Sequence, residues 1–187
     1  MTEQELTDPR LRQIASCFTI HDDFPIKGVR FRNILPLFRN PEIFQLLVDV
    51  CVERIKEKFG GPIDLIVGLE SRGFLFGPSV ALKLRCGFAP IRKPGKLPGN
   101  VARVEFAKEY GKDVFEMEAG AIKPGQGVVV VDDVLATGGS MAAASELVRH
   151  EGGKLLGCFI VVDLSYLHGR QKLPPSIPCE ALFSYSS

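Results

Sequence analysis

The stretch Val128–Ser140 has the sequence VVVVDDVLATGGS. Its four valines predict a strand over 127–131 that is buried on both faces, because covered parallel sheets are built from such apolar runs. A loop of small residues follows, and helical spacing continues from Ser140 to His150, where Gly152-Gly153 ends it. A buried strand, a short loop and a helix together predict an α/β fold.

The same alternation of strand and helix extends along the chain. Asn40 and Pro41 predict the first turn of an amphipathic helix that Gly60-Gly61 ends, since asparagine caps helices and proline fits their first turn. The other predicted elements are a helix over 3–15, a strand over 63–69, a helix over 74–84, a strand over 88–91, two short strands between 101 and 117, and a strand over 155–162. We therefore predict a mainly parallel, twisted sheet flanked by helices, with ligands bound beyond the carboxyl ends of its strands.

Length and composition favour a single domain over residues 1–187. The 23 basic and 22 acidic residues give a net charge of +1, which provides no global field for nucleic acid or an anionic membrane. Apolar runs fall far short of the roughly 20 residues that span a bilayer. Five scattered cysteines without a CxxC pair favour reduced thiols, so we expect a cytoplasmic protein with no membrane or nucleic-acid partner.

The loop after the valine strand has the properties of a phosphate site. Because residues 136–140 lack bulk, their backbone N–H groups can converge on a phosphate at the positive end of the following helix. A side chain at Gly138 is expected to occupy the phosphate position and to disfavour the backbone geometry of the loop. The residues predicted to hold the phosphate are Ala136, Thr137, Gly138, Gly139 and Ser140, with the two hydroxyls as additional donors.

Asp132 and Asp133 follow the valines directly, at a distance suited to the sugar that carries the phosphate. Carboxylates are good acceptors for paired ribose hydroxyls. The alternative is an ordinary strand-to-helix turn, in which the aspartates cap the helix and the glycines bend the chain. Neither GxxxxGKS/T nor a GxGxxG after a strand is present, so a P-loop ATPase or a dinucleotide-binding fold is disfavoured.

The run from Val128 to Ser140 resembles the signature with which type I phosphoribosyltransferases bind phosphoribosyl diphosphate (PRPP). Three further segments narrow the resemblance to the adenine enzymes of that family, which the chain resembles from about Phe24 to at least Arg170. These segments are Phe24-Pro25 with Gly28–Arg32, Gly68–Pro78, and Arg92–Gly99. The 6-oxopurine enzymes differ, since they typically carry an acid where Ala136 stands.

The resemblance implies transfer of the 5-phosphoribosyl group of PRPP to N9 of adenine, which gives AMP and diphosphate in purine salvage. It also implies a small N-terminal hood over residues 17–38, a flexible hairpin loop and a homodimer. The cofactor is expected to be Mg²⁺, carried by PRPP with no direct protein ligand. Two alternatives stay open: a phosphoribosyltransferase for another base, and a non-catalytic regulator that senses PRPP or nucleotides.

Basic residues in two loops are the candidates for diphosphate binding. Ser71 and Arg72 lie in a turn after a buried strand, where a guanidinium and free N–H groups at a helix start can face an anion. A surface salt bridge is the alternative for Arg72. Arg92, Lys93 and Lys96 lie in a Pro/Gly loop, which is either a solvated basic loop or a cationic site for diphosphate. The resemblance implies that these three contact diphosphate or a dimer partner.

A polar hairpin tip, Lys108–Gly111, joins the two short strands. Such tips can close over a site and exclude water. The resemblance makes this tip a catalytic loop, with Glu109 and Arg72 as the catalytic residues and Tyr110 near the diphosphate. Glu109 is then the group that handles a proton. Taken alone, a glutamate in a hairpin faces solvent.

The hood segment is expected to hold the base. By resemblance, Phe31 stacks on adenine and backbone groups near Arg30 bind its polar edge. Stacking of a base on an aromatic ring contributes about 1 to 3 kcal/mol. The residues predicted to contact adenine are Val29, Arg30, Phe31, Arg32 and Leu135. On composition alone, Phe31 is equally well explained as a core anchor.

Overall fold

The computed structural model describes residues 7–24, 27, 30–107 and 112–186. Its helices are α1 (Pro9–Ala15), α2 (Pro41–Lys58), α3 (Gly73–Leu84) and α4 (Gly139–His150). Its strands are β1 (Thr19–His21), β2 (Phe31–Asn33), β3 (Leu65–Leu69), β4 (Gly87–Ile91), β5 (Val101–Ala107), β6 (Lys112–Glu118), β7 (Gly127–Leu135), β8 (Lys154–Leu164) and β9 (Cys179–Tyr185). Short 3-10 helices cover Leu35–Arg39, Ser165–Leu167 and Gly169–Lys172.

Five strands form one parallel sheet in the order β4-β3-β7-β8-β9. The strands β1 and β2 form a separate antiparallel pair, and so do β5 and β6. The predicted α/β fold with a mainly parallel sheet is therefore confirmed.

The sheet separates two hydrophobic clusters. Side chains alternate between the two faces of a strand, and the valines of β7 do so here. Val129 and Val131 belong to the cluster that contains the buried faces of α1, α2 and α3. Val128 and Val130 belong to the cluster that contains the buried face of α4 and the inner side of the β5–β6 pair. Both faces of the central strand are thus covered, as its apolar sequence requires.

Helix α2 begins as the sequence predicts. The side chain of Asn40 accepts hydrogen bonds from the backbone N–H groups of Glu42 at 3.0 Å and Ile43 at 3.3 Å, and Pro41 occupies the first turn. A cap of this kind contributes about 1 kcal/mol. The helix ends at Lys58, and Phe59 has an extended backbone before the two glycines.

Strand β7 is longer than predicted. It continues through Asp132 and Asp133 to Leu135, so that Asp132 pairs with Ile160 of β8 and Leu135 pairs with Asp163. The expectation that the strand ends at Val131 was wrong, because side chains alternating between burial and partial exposure extend the ladder beyond the apolar run. The first helix was also predicted too long: Asp8 caps it, so it begins at Pro9.

The order of the strands places a crevice between β3 and β7. Strand β4 lies on one side of β3 and β7 lies on the other, so the connections that leave β3 and β7 run in opposite directions along the sheet. Ligands of open α/β sheets bind at such switch points, beyond the carboxyl ends of the strands. Here those ends lead into Glu70–Arg72 and Ala136–Gly138. Of the helices in the described ranges, none has the length and apolar character needed to cross a membrane.

Candidate active site

A cavity of about 230 Å³ opens at this switch point, and we call it the loop cavity. Its lining comes from the ends of β3 and β7, the loops that follow β3, β4 and β7, the start of α4 and strand β6. The lining residues are Leu69, Glu70, Arg72, Lys93, Phe115, Asp132, Val134, Leu135, Ala136, Thr137, Gly138, Gly139, Ser140 and Met141. The structure therefore brings together the five residues predicted for phosphate, together with Asp132, Leu135, Arg72 and Lys93.

The small-residue loop ends at the amino terminus of α4. Gly138 has a φ of +80°, and α4 begins at the next residue with no side-chain cap. Its first N–H groups and the positive end of its dipole therefore lie beside the loop cavity. This arrangement suits a phosphate dianion.

Of the two reasons predicted for a glycine at position 138, the backbone geometry is confirmed by a φ of +80°, and the steric one was wrong. A Cβ atom on Gly138 would lie against the carbonyl oxygen of Gly169, well inside van der Waals distance, rather than in the phosphate position. Gly138 is required by its left-handed backbone and by the close approach of Gly169.

The two aspartates of β7 lie on opposite faces of the strand. Asp132 lines the loop cavity, whereas Asp133 is only 3% exposed and forms an ion pair with Arg72, whose Nε lies 2.9 Å from its Oδ2. The backbone N–H of Asp133 also donates to Oδ1 of Asp132 at 2.9 Å. The alternative in which both aspartates cap the helix finds no support here, because α4 has no side-chain cap.

Burial and the neighbouring charges change the pKa values of Asp132 and Asp133. Burial, together with the negative charge of Asp133, raises the pKa of Asp132 well above its ordinary value. Burial also raises the pKa of Asp133, although the Arg72 guanidinium opposes that shift. Asp132 is thus the carboxyl group of the cavity that takes up a proton most readily.

Arg72 lies between two cavities. Its guanidinium carbon is 5.7 Å from the centre of the Phe31 ring, and its side chain lines a second cavity on that side. Its ion pair is with a buried carboxylate of the site, so the alternative of an unrelated surface salt bridge does not describe it. Ser71 is exposed and lies outside the lining residues of the loop cavity.

Glu70 organises the basic loop that follows β4. Its carboxylate accepts from Arg92 Nη2 at 3.1 Å and from the backbone N–H of Lys93 at 2.9 Å. The Lys93 N–H, with help from Arg92, lowers the pKa of Glu70 below its ordinary value. Arg92 Nη1 donates to the carbonyl of Lys96 at 3.0 Å. Arg92 therefore holds the loop in place from outside the cavity.

The two lysines of this loop have different positions. The ammonium of Lys93 forms an ion pair with Asp113 of β6 and lies 5.5 Å from the centre of the Phe115 ring, at the wall of the loop cavity. The side chain of Lys96 is exposed and does not line the cavity. Of the three basic residues predicted in this loop, Lys93 alone lines the loop cavity.

The second cavity, of about 370 Å³, lies under the β1–β2 pair, and we call it the hood cavity. Its lining residues are His21, Phe24, Phe31, Asn33, Leu35 and Arg72. The rings of Phe24 and Phe31 meet edge to face, with their centres 5.1 Å apart. An apolar slot with aromatic walls suits a flat heterocycle.

The remaining residues predicted for the base lie elsewhere. Arg30 is exposed, and its Nε lies 3.4 Å from a carboxylate oxygen of Asp22. The guanidinium of Arg32 lies 3.7 Å from the centre of the Tyr185 ring, at the end of β9. Leu135 lines the loop cavity instead of the hood cavity.

Three predicted site residues lie outside the described residues: Val29, Glu109 and Tyr110. The predicted hairpin itself is confirmed, since β5 and β6 pair in antiparallel register from Val101–Glu118 to Ala107–Lys112. Phe115 places this hairpin against the loop cavity. The hairpin therefore leads from the wall of the cavity towards the segment that contains Glu109.

Several lining residues were not predicted. Glu70 lies in a segment that carries the resemblance, and the predicted hood over residues 17–38 contains His21, Phe24 and Asn33, but none of these was predicted individually as a site residue. Phe115 lies outside these segments. Among the described residues, no group of three or more His, Cys, Asp or Glu side chains is arranged to hold a metal ion.

Comparisons with known proteins agree on one family. The model of the phosphoribosyl transferase domain matches residues 35–185. Adenine phosphoribosyltransferase of Yarrowia lipolytica is 53% identical over 154 residues, which are 82% of this chain and 85% of that protein. The same enzyme of Caenorhabditis elegans is 45% identical over 186 residues, which cover 97% of this chain and all of that protein.

Solved structures agree with these relatives. Adenine phosphoribosyltransferase from Saccharomyces cerevisiae, complexed with an imino-altritol bisphosphate and adenine, superposes with a TM-score of 0.89 at 46% identity, and the match covers 92% of this chain and 98% of that one. The Trypanosoma brucei enzyme in complex with AMP, pyrophosphate and ribose-5-phosphate has a TM-score of 0.85 at 30% identity, over 95% of this chain and 80% of that one.

Proposed function

Because this chain belongs to the adenine phosphoribosyltransferases of the phosphoribosyl transferase domain family, we propose how its two cavities divide the reaction. The loop cavity binds the phosphate, ribose and diphosphate of PRPP, and the hood cavity binds adenine. The observation that supports this assignment is the position of Arg72, which lines both cavities, so that ligands bound in the two cavities would lie side by side.

The phosphoribosyl group is held by the end of β7 and the start of α4. The backbone N–H groups of residues 137–140 and the positive end of the helix hold the 5′-phosphate. The hydroxyls of Thr137 and Ser140 add donors. Asp132 and Asp133 accept from the ribose hydroxyls. Support for the role of Asp132 comes from its place in the lining of the same cavity, whereas Asp133 has to exchange its ion pair with Arg72 for the ribose.

The diphosphate is neutralised by cations at the opposite wall. Arg72 and Lys93 line the loop cavity, and Glu70 keeps Lys93 in position through its backbone N–H. Ser71 and Tyr110 contribute further donors. Arg92 and Lys96 do not line the cavity of this chain. For these two residues we keep both alternatives, contact with the diphosphate and contact with a partner subunit.

The cofactor is Mg²⁺ bound to oxygens of PRPP and to water. Such a metal fits the residues present, because Mg²⁺ prefers oxygen ligands and keeps much of its hydration shell, while the Glu70 carboxylate is occupied by Arg92 and Lys93. When bound, the metal supplies positive charge to the leaving diphosphate.

The chain itself acts mainly by positioning and electrostatics. Phe31 stacks on adenine, with Val29, Arg30 and Arg32 contributing through the backbone of the hood, and holds N9 towards the ribose C1. The negative field of Asp132 and Asp133 favours the positive charge that develops on the ribose. Glu109 handles the N9 proton, and Leu135, which lines the loop cavity, contacts the base from that side.

The decisive experiment is a base-specificity assay. AMP formation from PRPP is measured with adenine, and nucleotide formation with hypoxanthine, guanine and orotate in parallel, each with Mg²⁺ and with excess chelator. Adenine is expected to be the preferred base, and the chelator is expected to abolish turnover. Equal rates with hypoxanthine would contradict the assignment of the hood, and full activity in chelator would contradict the role of the metal.

The proposal includes the state of the protein. It acts in the cytoplasm as a homodimer of single-domain chains, each with its hood over residues 17–38. Support for the dimer comes from α3, where Leu75 and Leu82 are 40% and 80% exposed on one face of the helix. Leu82→Glu is expected to shift the mass measured by light scattering from dimer to monomer, and an unchanged dimer would place the interface elsewhere.

A further inference from the structure

The turn that follows β8 contains Gly169 and packs directly on Ala136–Gly138, the part of the small-residue loop that we call the phosphate loop. A Cβ atom on Gly169 would lie against the carbonyl oxygen of Ala136 and 3.0 Å from the backbone nitrogen of Gly138. A Cβ atom on Gly138 would in turn lie against the carbonyl of Gly169. The two backbones therefore touch with no side chain between them, and the turn forms the rear wall of the loop that lines the cavity.

An ion pair holds this turn in place. Asp163 lies in β8 opposite Leu135 of β7 and is only 1% exposed. Its Oδ2 accepts from Arg170 Nε at 2.7 Å. Its Oδ1 is buried and has no hydrogen-bond partner within the part of the chain that the structure describes. A buried carboxylate needs a partner to balance its lost hydration, so Asp163 fixes the position of Arg170 strongly.

Arg170 is anchored at a second point. Its Nη1 donates to the carbonyl of Cys179, the first residue of β9. The guanidinium thus joins β8 and β9 and ties the residue next to Gly169 to the end of the sheet. Arg170 has no contact with the loop cavity itself.

We propose that Arg170 is a positioning residue for phosphate binding: paired with Asp163, it presses the Gly169 turn against Ala136–Gly138 and so fixes the N–H groups that hold the 5′-phosphate. The inference rests on the proposed function of the loop cavity. A misplacement of about 1 Å costs up to about 100-fold in reaction rate. We expect a loss of up to that size in phosphate affinity when the rear wall loosens, while the base and ribose sites remain intact.

Arg170→Met tests the ion pair. The affinities for AMP and for adenosine are measured by calorimetric titration at a temperature at which circular dichroism shows the variant folded. AMP affinity is expected to fall about 10- to 100-fold, whereas adenosine affinity stays within about twofold of the wild type. Arg170→Lys retains the charge opposite Asp163 and is expected to recover most of the loss. A purely structural role would lower the melting temperature and leave the ratio of the two affinities unchanged.

Arg10→Met is the matched control. Arg10 also bridges two segments, through Asp8 at 2.9 Å and Glu53 at 2.6 Å, but it lies on α1, away from the phosphate loop. Its replacement removes an arginine ion pair and is expected to leave the affinities for AMP and adenosine unchanged.

Gly169→Ala tests the same contact without touching the ion pair, and it decides the matter if Arg170→Met does not fold. The added methyl group displaces the phosphate loop, so the same loss for AMP and not for adenosine is expected. Equal losses for both ligands, or unchanged AMP affinity in either folded variant, would overturn the inference. If the wild-type protein itself does not bind AMP, the proposed function fails and the inference fails with it. If the wild type binds AMP and the variants bind it equally well, the inference is overturned and the proposed function is not.

Discussion

The Nε atom of Arg72 lies 2.9 Å from Oδ2 of Asp133, and this ion pair joins the loop after β3 to strand β7 at the switch point of the sheet. Arg72 precedes α3, and Asp133 lies in β7. The aspartate is nearly fully buried, while the arginine reaches into both cavities. One interaction thus links the two cavities to the central strand of the sheet.

Arg72→Met is expected to lower both stability and PRPP turnover. The substitution leaves the Asp133 charge buried without its partner, which lowers the melting temperature. A hydrogen bond to a charged group contributes about 1.5 to 3 kcal/mol, so its removal corresponds to a loss of about 10- to 150-fold in kcat/KM for PRPP. Steady-state kinetics and thermal melts measure the two effects. Arg54→Met, which removes an exposed pair with Glu57, is the control. Unchanged kcat/KM in Arg72→Met would remove Arg72 from the site.

Asp132→Asn is expected to raise the melting temperature at neutral pH while it lowers kcat/KM for PRPP. The pKa of Asp132 is raised in the folded protein by burial and by Asp133, so its ionised form opposes folding. The stability gained by removing the charge is therefore present at neutral pH. It declines as the pH falls through the folded pKa and disappears below about 4, the pKa of an unfolded aspartate, where the wild type is protonated as well.

Melting curves between pH 3 and pH 8 and PRPP kinetics at neutral pH check this expectation. Asp49→Asn, at an exposed carboxylate of α2 that pairs with Lys83, is the control. A lower melting temperature of Asp132→Asn with intact kinetics would show a structural role for Asp132 and contradict its role with the ribose.

Gly138→Ala is expected to destabilise the protein and to abolish measurable AMP binding. The residue has a φ of +80°, and its new methyl group meets the carbonyl of Gly169. The backbone conformation alone costs about 1 to 3 kcal/mol for a residue other than glycine. Gly120→Ala separates the two effects, because Gly120 has a φ of +79° with open space around its Cβ position. If both variants bound AMP equally well, the close packing of Gly138 would have no part in binding.

Glu109→Gln is expected to lower kcat with little change in either KM. The residue lies outside the described part of the chain, between β5 and β6, and its proposed role is to handle the N9 proton in the transition state. General acid–base assistance contributes about 10²- to 10⁴-fold, so a loss of that size is expected. Pre-steady-state kinetics isolate the chemical step. Glu118→Gln, at the other end of the hairpin, is the control, and wild-type turnover in Glu109→Gln would leave Glu109 a solvent-facing residue.

Phe31→Leu is expected to raise the KM for adenine about 5- to 150-fold, since base stacking contributes about 1 to 3 kcal/mol. The KM for PRPP should remain within about twofold, because Phe31 lines the hood cavity only. Phe38→Leu removes a ring that packs against Phe44 at 5.2 Å, away from both cavities, and serves as the control. Equal effects of the two substitutions would return Phe31 to the role of a core anchor.

Local patterns were sufficient for much of the fold. Some signals depend only on residues that are neighbours in the sequence, so they can be read from it directly. These are the cap at Asn40, the apolar run of β7 and the glycines after α2 and α4. The loop of small residues after β7 was also predicted from adjacent residues, and all five of them line the loop cavity, while their contact with phosphate stays a prediction.

Contacts between distant residues could not be predicted in the same way. Arg72 pairs with Asp133, Arg32 stacks on Tyr185, and Asp163 holds the turn behind Gly138. Each of these depends on the order of the strands and not on spacing along the chain. Strand β9 was missed for a related reason: it lies at the edge of the sheet and is only partly buried, so its residues lack the continuous apolar pattern of β7 and β8.

The position of Arg72 in the walls of both cavities has a thermodynamic consequence. If the ribose binds Asp133 as proposed, it competes with Arg72 for the same carboxylate, and the guanidinium of Arg72 also faces Phe31. Linkage requires that adenine change the affinity for PRPP by the same factor by which PRPP changes the affinity for adenine. Arg72 enters both equilibria, so a variant selected for a new base at this wall will change its affinity for PRPP as well.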